Sequence, residues 1–237
     1  MHITFSRSQR LVTGLSGLLG GTLSVLMVAL YFVYSGAPPQ ANVLARNLIT
    51  VVAFTGFLIL AAGLSRMLKA ARHGDPGLSG SVAVTALLAY VSITLVSASL
   101  ETGTSLWYPD GSLDPTVDGP LSAAAVLLHG PIARVLVATF LIALTVATRN
   151  HVLPSWVRRG SLVVAATNLV LVPSLFFGMD AAFFYAANGW ASVALIGLIN
   201  TTWFGVLGGS VLRSTPGATG APTPRSDMMV ERQAIAG

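Results

Sequence analysis

Long runs of apolar residues, separated by short polar segments, dominate the pattern along the chain. Six runs approach or exceed the roughly 20 residues that a helix needs to cross a hydrocarbon core about 30 Å thick. They are too long and too continuous for the strands of a membrane barrel, the other structure that pairs every backbone polar group in lipid. The predicted spans are residues 11–34, 43–64, 81–102, 131–148, 160–177 and 190–212.

These spans predict an all-α fold, a bundle of about six transmembrane helices forming one domain over residues 1–213. The first run is too long for the apolar region of a signal peptide, so we expect an uncleaved first helix. Residues 214–237 are rich in Thr, Pro, Gly and Ala, a composition that predicts a disordered cytoplasmic tail.

Composition agrees with a lipid environment. The chain is 54% hydrophobic and 9% charged, whereas a soluble domain is about 25% charged. Its formal net charge of +5 comes from residues in short loops, without the basic face and stacking aromatics of a nucleic-acid-binding protein. We therefore expect the lipid bilayer, and no nucleic acid, as partner.

The charged loops alternate in sign and orient the helices. Basic residues cluster before the first span, after the second, after the fourth and after the sixth, whereas the other loops carry acidic residues. The positive-inside rule then places both termini in the cytoplasm of a multi-pass cell-membrane protein. The basic residues are Arg7, Arg10, Arg66, Lys69, Arg72, Arg149, Arg158, Arg159, Arg213, Arg225 and Arg232, and the acidic ones are Glu101, Asp110, Asp114, Asp118 and Asp180.

The segment before the fourth span has two interpretations. Residues 121–128 are apolar and end at His129-Gly130-Pro131. They could form a short helix at the outer interface, with Pro131 opening the next span. Alternatively, one long helix is kinked at Pro131.

Five ionisable residues from different helices fall near the predicted outer side: Arg46, Glu101, His129, Arg134 and Asp180. Charges in a membrane are costly and pair with one another, so we expect Glu101 to meet Arg46 or Arg134. In a functional interpretation Glu101, Asp180 and His129 supply acid–base chemistry in an outward-facing pocket, where the arginines bind substrate. In a structural one they are snorkelling side chains and one ion pair.

Two further features lie deeper in the spans. Asn168, Asn200 and Trp203 could line a substrate-binding cavity, or form ordinary hydrogen bonds between helices. The patterns Gly17-x-x-x-Gly21 and Gly205-x-x-x-Gly209 predict close helix packing, either of the first span against the last or in a homo- or hetero-oligomer.

Several chemistries lack their residues. The chain has no cysteine, and His2, His73, His129 and His151 form no H-x-x-x-H pair, so we expect neither a metal nor a cofactor. There is no P-loop, no H-E-x-x-H and no G-x-S-x-G pattern. We also find no voltage-sensor arginine series and no convincing inverted repeat.

The segment Arg149-Asn150-His151-Val152-Leu153-Pro154-Ser155-Trp156-Val157-Arg158 resembles a turn found in small six-helix integral membrane proteins of actinobacteria. The order of elements is similar too: a short basic N-terminus, a basic loop after the second helix and an acid near the end of the third. This likeness covers the six-helix core, is architectural, and implies topology without implying an activity.

Three functions fit the sequence. The first is binding or handling of a lipid or lipophilic small molecule in an outward-facing intramembrane pocket. The second is a membrane-embedded isomerase or cyclase, with acid–base chemistry by Glu101 and Asp180 or His129. The third is a structural or regulatory membrane subunit that contacts a partner through the glycine faces.

Overall fold

The computed structural model describes residues 5–34, 36–72, 74–108, 113–149 and 152–214. Within these ranges all regular secondary structure is helical, and six helices are long and apolar enough to cross a membrane. The prediction of an all-α, six-helix membrane bundle is confirmed. Predictions for His2, His73, Asp110, Asn150, His151 and the tail beyond Ser214 concern residues outside the described ranges.

The chain forms seven α-helices in the described ranges, and three of the spans also contain a short turn of tighter or wider helix. The fourth span joins α4 to α5 through a π-helical turn, Leu128–Ile132. The fifth span ends in a 3₁₀ turn, Val172–Phe177, and the sixth begins with a π turn, Ala191–Leu195. The α-helices are α1 Arg7–Leu30, α2 Gln40–Ala71, α3 Gly77–Trp107, α4 Gly119–Leu127, α5 Ala133–Ala147, α6 Ser155–Leu171 and α7 Ile196–Arg213.

Helices α2 and α3 extend well beyond the apolar runs that predict them. Hydropathy marks the part of a helix that meets lipid, whereas the helix itself continues until a residue stops it. After α2 the stop is at Gly74, whose φ of 112° suits glycine. Pro76 then precedes α3, and the Asp75 carboxylate accepts a 2.8 Å hydrogen bond from the Gly77 amide.

The fourth span combines the two interpretations of its sequence. Short α4 is present, and the chain passes from it through the kink into α5, so Gly119–Ala147 forms one span instead of beginning at Pro131. Gly130 takes non-helical angles (φ −87°, ψ −108°) immediately before Pro131. Proline has no amide hydrogen to donate, and a wider turn accommodates the missing bond.

The long helices pack in a ring in the order α1, α2, α3, α5, α6, α7 and back to α1, with α4 against α3. Aromatic side chains fill the centre of this ring. Phe204 of α7 meets the rings of Phe57, Tyr90 and Phe140 edge to face, with centroids 5.2, 5.6 and 5.7 Å apart. This aromatic layer closes the middle of the bundle.

Glycines bring α1 and α7 into backbone contact. A Cβ atom added to Gly17 would lie 2.9 Å from the Gly208 Cα, and one added to Gly21 would lie 2.8 Å from the Gly205 Cα. The predicted packing of the first span against the last is therefore observed within one chain. The alternative, an oligomer formed through these glycines, stays a prediction.

Candidate functional site

A cavity of about 300 Å³ occupies one end of the bundle, the end that the positive-inside rule assigns to the outside. It begins where the glycine contact between α1 and α7 stops. Met27 and Val28 of α1, together with Thr201 and Gly197 of α7, line it just beyond that contact. The two helices touch closely at the inner end and contribute separate walls at the outer end.

The floor and much of the wall of the cavity are apolar. Tyr90 of the central aromatic layer and Phe54, whose ring centroid lies 5.6 Å from that of Tyr90, line its deep end. Phe32 and Trp190 lie toward the outer loops and are 58% and 48% exposed. A pocket with this lining favours an apolar ligand body, and polar groups in its wall fix the ligand's orientation.

Glu101 of α3 is the charged residue among the described residues that line the cavity. Its Oε1 atom accepts a 2.6 Å hydrogen bond from the Arg46 guanidinium, and its Oε2 atom accepts one of 3.2 Å from the Tyr31 hydroxyl. The Arg46 Cζ atom lies 3.8 Å from the centroid of the Tyr31 ring, a cation–π geometry. Arg46 is 2% exposed, so it holds Glu101 from behind the cavity wall.

Helices α1, α2 and α3 each supply one member of this group. Tyr31 follows the last residue of α1, Arg46 lies near the start of α2 and Glu101 lies near the end of α3. These three positions share the outer end because consecutive helices run in opposite directions. Of the two partners that the sequence allows for Glu101, the structure selects Arg46.

The two other candidate acid–base residues lie in different places. His129 lines the cavity from the π turn of the fourth span. Asp180 is exposed and has no place among the described lining residues. Its Oδ1 atom accepts a 2.9 Å hydrogen bond from the Ala182 amide and so closes the turn that follows the fifth span.

Arg134 is buried but binds backbone instead of a carboxylate. Its guanidinium donates to the Leu171 carbonyl at 2.5 Å, to the Ser174 hydroxyl at 2.7 Å and to the Ser192 carbonyl. These acceptors lie where the fifth and sixth spans depart from regular α-helix and leave carbonyls unpaired. Arg134 therefore joins two irregular helix segments, and it is not among the described lining residues.

Asn168, Asn200 and Trp203 also lie away from the described lining of the cavity. The two asparagines exchange hydrogen bonds of 2.7 and 3.0 Å between α6 and α7. Trp203 donates to the Ser161 hydroxyl at 3.1 Å, and its ring lies against Gly160. These contacts are hydrogen bonds and packing between helices, the second of the two interpretations that the sequence allowed for these residues.

Sequence reasoning missed several residues of the cavity. Tyr31, Tyr90 and Trp190 read as ordinary residues of an apolar run or an interface, and Gly197 belongs to no G-x-x-x-G pattern. A Cβ atom built on Gly197 meets no atom within 4 Å, because its side faces the cavity. The signal available in sequence was the position of Tyr31 and Trp190 at outer span ends, where aromatic residues are common for other reasons.

Among the described residues, no group of three His, Cys, Asp or Glu side chains could hold a metal ion. The fold and cavity together define a class, a multi-pass α-helical membrane protein with a largely apolar cavity at one end. No protein-family model matches the chain, and neither a curated protein nor a solved structure shows significant similarity to it.

Proposed function

We propose that this protein binds a lipophilic small molecule or a single lipid chain in the cavity at the outer end of the bundle, in the cell membrane. One observation carries the proposal: a cavity of about 300 Å³ with an aromatic floor and one carboxylate in its wall. Pockets that hold small molecules begin at about this volume and combine an apolar lining with few polar groups.

The position of Glu101 supports binding more than acid–base catalysis. Its carboxylate already accepts hydrogen bonds from Arg46 and Tyr31. Both of its oxygens are thus engaged as acceptors, which holds the carboxylate in place in the cavity wall. Under the enzyme hypothesis the acid–base residues would be Glu101 and His129, because Asp180 is not among the described lining residues.

The test fills the cavity. We expect Gly197→Leu to fold, because a side chain there grows from an open position into the cavity. Mass spectrometry of molecules that co-purify from the native membrane should show one lipophilic compound reduced about tenfold or more in this variant, which corresponds to roughly 1.4 kcal/mol of lost binding.

Gly103→Leu is the matched control. Gly103 is also a helical glycine whose added Cβ would meet no atom within 4 Å, but it lies on the exposed side of α3 and outside the described lining. The same compound should be retained in this variant at the wild-type level. If wild type, Gly197→Leu and Gly103→Leu all co-purified with bulk phospholipid alone, the proposal would be overturned. A compound that wild type converts chemically but His129→Ala does not would establish an enzyme instead.

A further inference from the structure

We propose that the ligand is an uncharged lipophile with a hydroxyl group, and that this hydroxyl donates a hydrogen bond to Glu101. The inference rests on the proposed function and names the class of molecule that the cavity accepts. It excludes ionic amphiphiles, among them phospholipids, lipid phosphates and long-chain ammonium compounds.

The charge balance of the cavity is the first argument. Glu101 is the residue with a formal charge among the described lining residues, and Arg46 pairs with it at 2.6 Å. The pair is neutral as a unit. An ionic head group would enter a site with no charge left to balance it, which is costly in a medium of low dielectric constant.

The face of the pair that meets the cavity is the second argument. Glu101 lines the cavity, whereas Arg46 is behind it and is absent from the described lining. An anionic head group would therefore meet the carboxylate first and be repelled. A cationic head group would be attracted to Glu101 but would compete with Arg46 and leave the guanidinium buried and unbalanced.

A hydroxyl group satisfies both conditions. A carboxylate has about four positions that accept hydrogen bonds. Arg46 takes one at Oε1 and Tyr31 takes one at Oε2, through a long bond of 3.2 Å. Acceptor capacity thus stays available to an O–H group that adds no charge.

The apolar part of the ligand has a path along α3. Glu101 and Tyr90 both line the cavity, and they are 11 positions apart along α3, which corresponds to a rise of about 16 Å. A ligand whose hydroxyl meets Glu101 would direct its tail toward Tyr90 and Phe54. This length suits a single alkyl or isoprenoid chain.

The experiment compares three undecyl probes that differ in head group alone and carry one bromine at C2, beside the head group: 2-bromoundecanol, 2-bromoundecyl sulfonate and 2-bromoundecyl trimethylammonium. Each is titrated into the purified protein in nanodiscs, and the bromine quenches the fluorescence of Trp190, which lines the cavity toward the outer loops, where the proposal places the head group. Subtracting the signal of Trp190→Phe isolates that residue from the other three tryptophans. Subtracting the quenching that persists in Gly197→Leu removes the contribution of probe dissolved in the bilayer.

We expect the alcohol to bind at least about tenfold more tightly than either ionic probe. Glu101→Gln should reverse the order of the alcohol and the sulfonate, because it leaves the Arg46 guanidinium without a counter-charge. If that variant fails to fold, Arg46→Met together with Glu101→Met removes both charges and should fold. A fourth probe without a head group, 2-bromoundecane, should bind less tightly than the alcohol in wild type and equally tightly in the double variant.

The outcomes separate the two proposals. If each probe quenched wild type and Gly197→Leu to the same extent, the proposed function itself would be overturned. Quenching that Gly197→Leu abolishes, but that is equal or stronger for the sulfonate or ammonium probe, would keep the cavity as a binding site and overturn the hydroxyl class. A preference for the alcohol that survives in the double methionine variant would also overturn it.

Discussion

Arg46 and Arg134 show that two buried arginines at the same end of a membrane bundle can have different partners. Arg46 meets a carboxylate and the face of a tyrosine ring. Arg134 meets two carbonyls and a hydroxyl at irregular helix turns. Each charge is stabilised by a polar environment that the bilayer does not offer. In sequence both residues look alike, because each is an arginine in an apolar run.

Arg134→Lys tests the role of the second arginine. An ammonium group is a point charge and cannot span the three acceptors that the planar guanidinium reaches. We expect the free energy of unfolding in mixed micelles to fall by about 2 kcal/mol, the loss of one or two hydrogen bonds to a charged group. Amide hydrogen exchange should accelerate in Val172–Phe177 and Ala191–Leu195, the two segments that Arg134 joins.

The control is Arg159→Lys, the same substitution at an exposed position near the start of α6. It should leave both the unfolding free energy and the exchange pattern unchanged. Equal behaviour of the two variants would mean that Arg134 does not hold the irregular segments together.

Helices α1 and α7 of this protein meet through glycines, and the position of each glycine on its helix decides whether a side chain would fit there. The motif Gly205-x-x-x-Gly209 draws attention in sequence, but an added Cβ on either glycine finds no neighbour closer than 3.6 Å. Gly208, outside the motif, is the tight position: its added Cβ would lie 2.7 Å from the Gly14 carbonyl oxygen and 2.8 Å from the Leu18 amide nitrogen. The spacing predicts that α7 packs closely, but the position of α1 decides which glycine of α7 has no room for a side chain.

Neighbouring glycines on α7 therefore make a matched pair for substitution. Gly208→Ala should lower the free energy of unfolding by about 1–3 kcal/mol, because its methyl group must push the backbone of α1 away. Gly209→Ala meets only the end of the Leu18 side chain, at 3.6 Å, and should be neutral or slightly stabilising through helix propensity. Denaturation in mixed micelles measures both.

If the two variants were equally stable, the close crossing of α1 and α7 would be wrong. The consequence for function would be direct, because that crossing sets where the two helices begin to contribute separate cavity walls. Gly208→Ala should accordingly also weaken binding of the 2-bromoundecanol probe, whereas Gly209→Ala should not.

At the scale of the whole molecule, the cavity exists because the bundle is filled unevenly. Phe57, Tyr90, Phe140 and Phe204 close the middle, while the outer ends of α1 and α7 leave space beside α3 and α4. Glu101 lies in this space because consecutive helices run in opposite directions, which brings the end of α3 to the same side as the end of α1 and the start of α2. Whether the cavity faces the cell exterior depends on the orientation of the whole bundle.

Cysteine labelling measures that orientation without background, because the chain has no cysteine. Ala182→Cys and Arg159→Cys place single thiols at exposed positions on opposite ends of the bundle. A maleimide that cannot cross membranes should label Ala182→Cys in intact cells, and Arg159→Cys only after permeabilisation. The reverse pattern would place both termini and the basic loops outside, and the cavity would then open to the cytoplasm.

The sequence by itself determined the fold class, the number of spans, their approximate places and the predicted orientation. These properties follow from hydropathy, length and loop charge, each of which sums over many residues and tolerates local irregularity. The sequence also narrowed the partner of Glu101 to two arginines, since a buried carboxylate needs a counter-charge and the topology left few nearby.

Only the tertiary structure decided which arginine pairs with Glu101, that Asn168 and Asn200 bind each other, and that Gly208 has no room for a side chain. Each of these depends on the rotation of a helix about its own axis. Hydropathy does not predict that rotation, because lipid and the protein interior are equally apolar. The cavity depends on the same rotations, because it is the space that the outer ends of these helices leave unfilled.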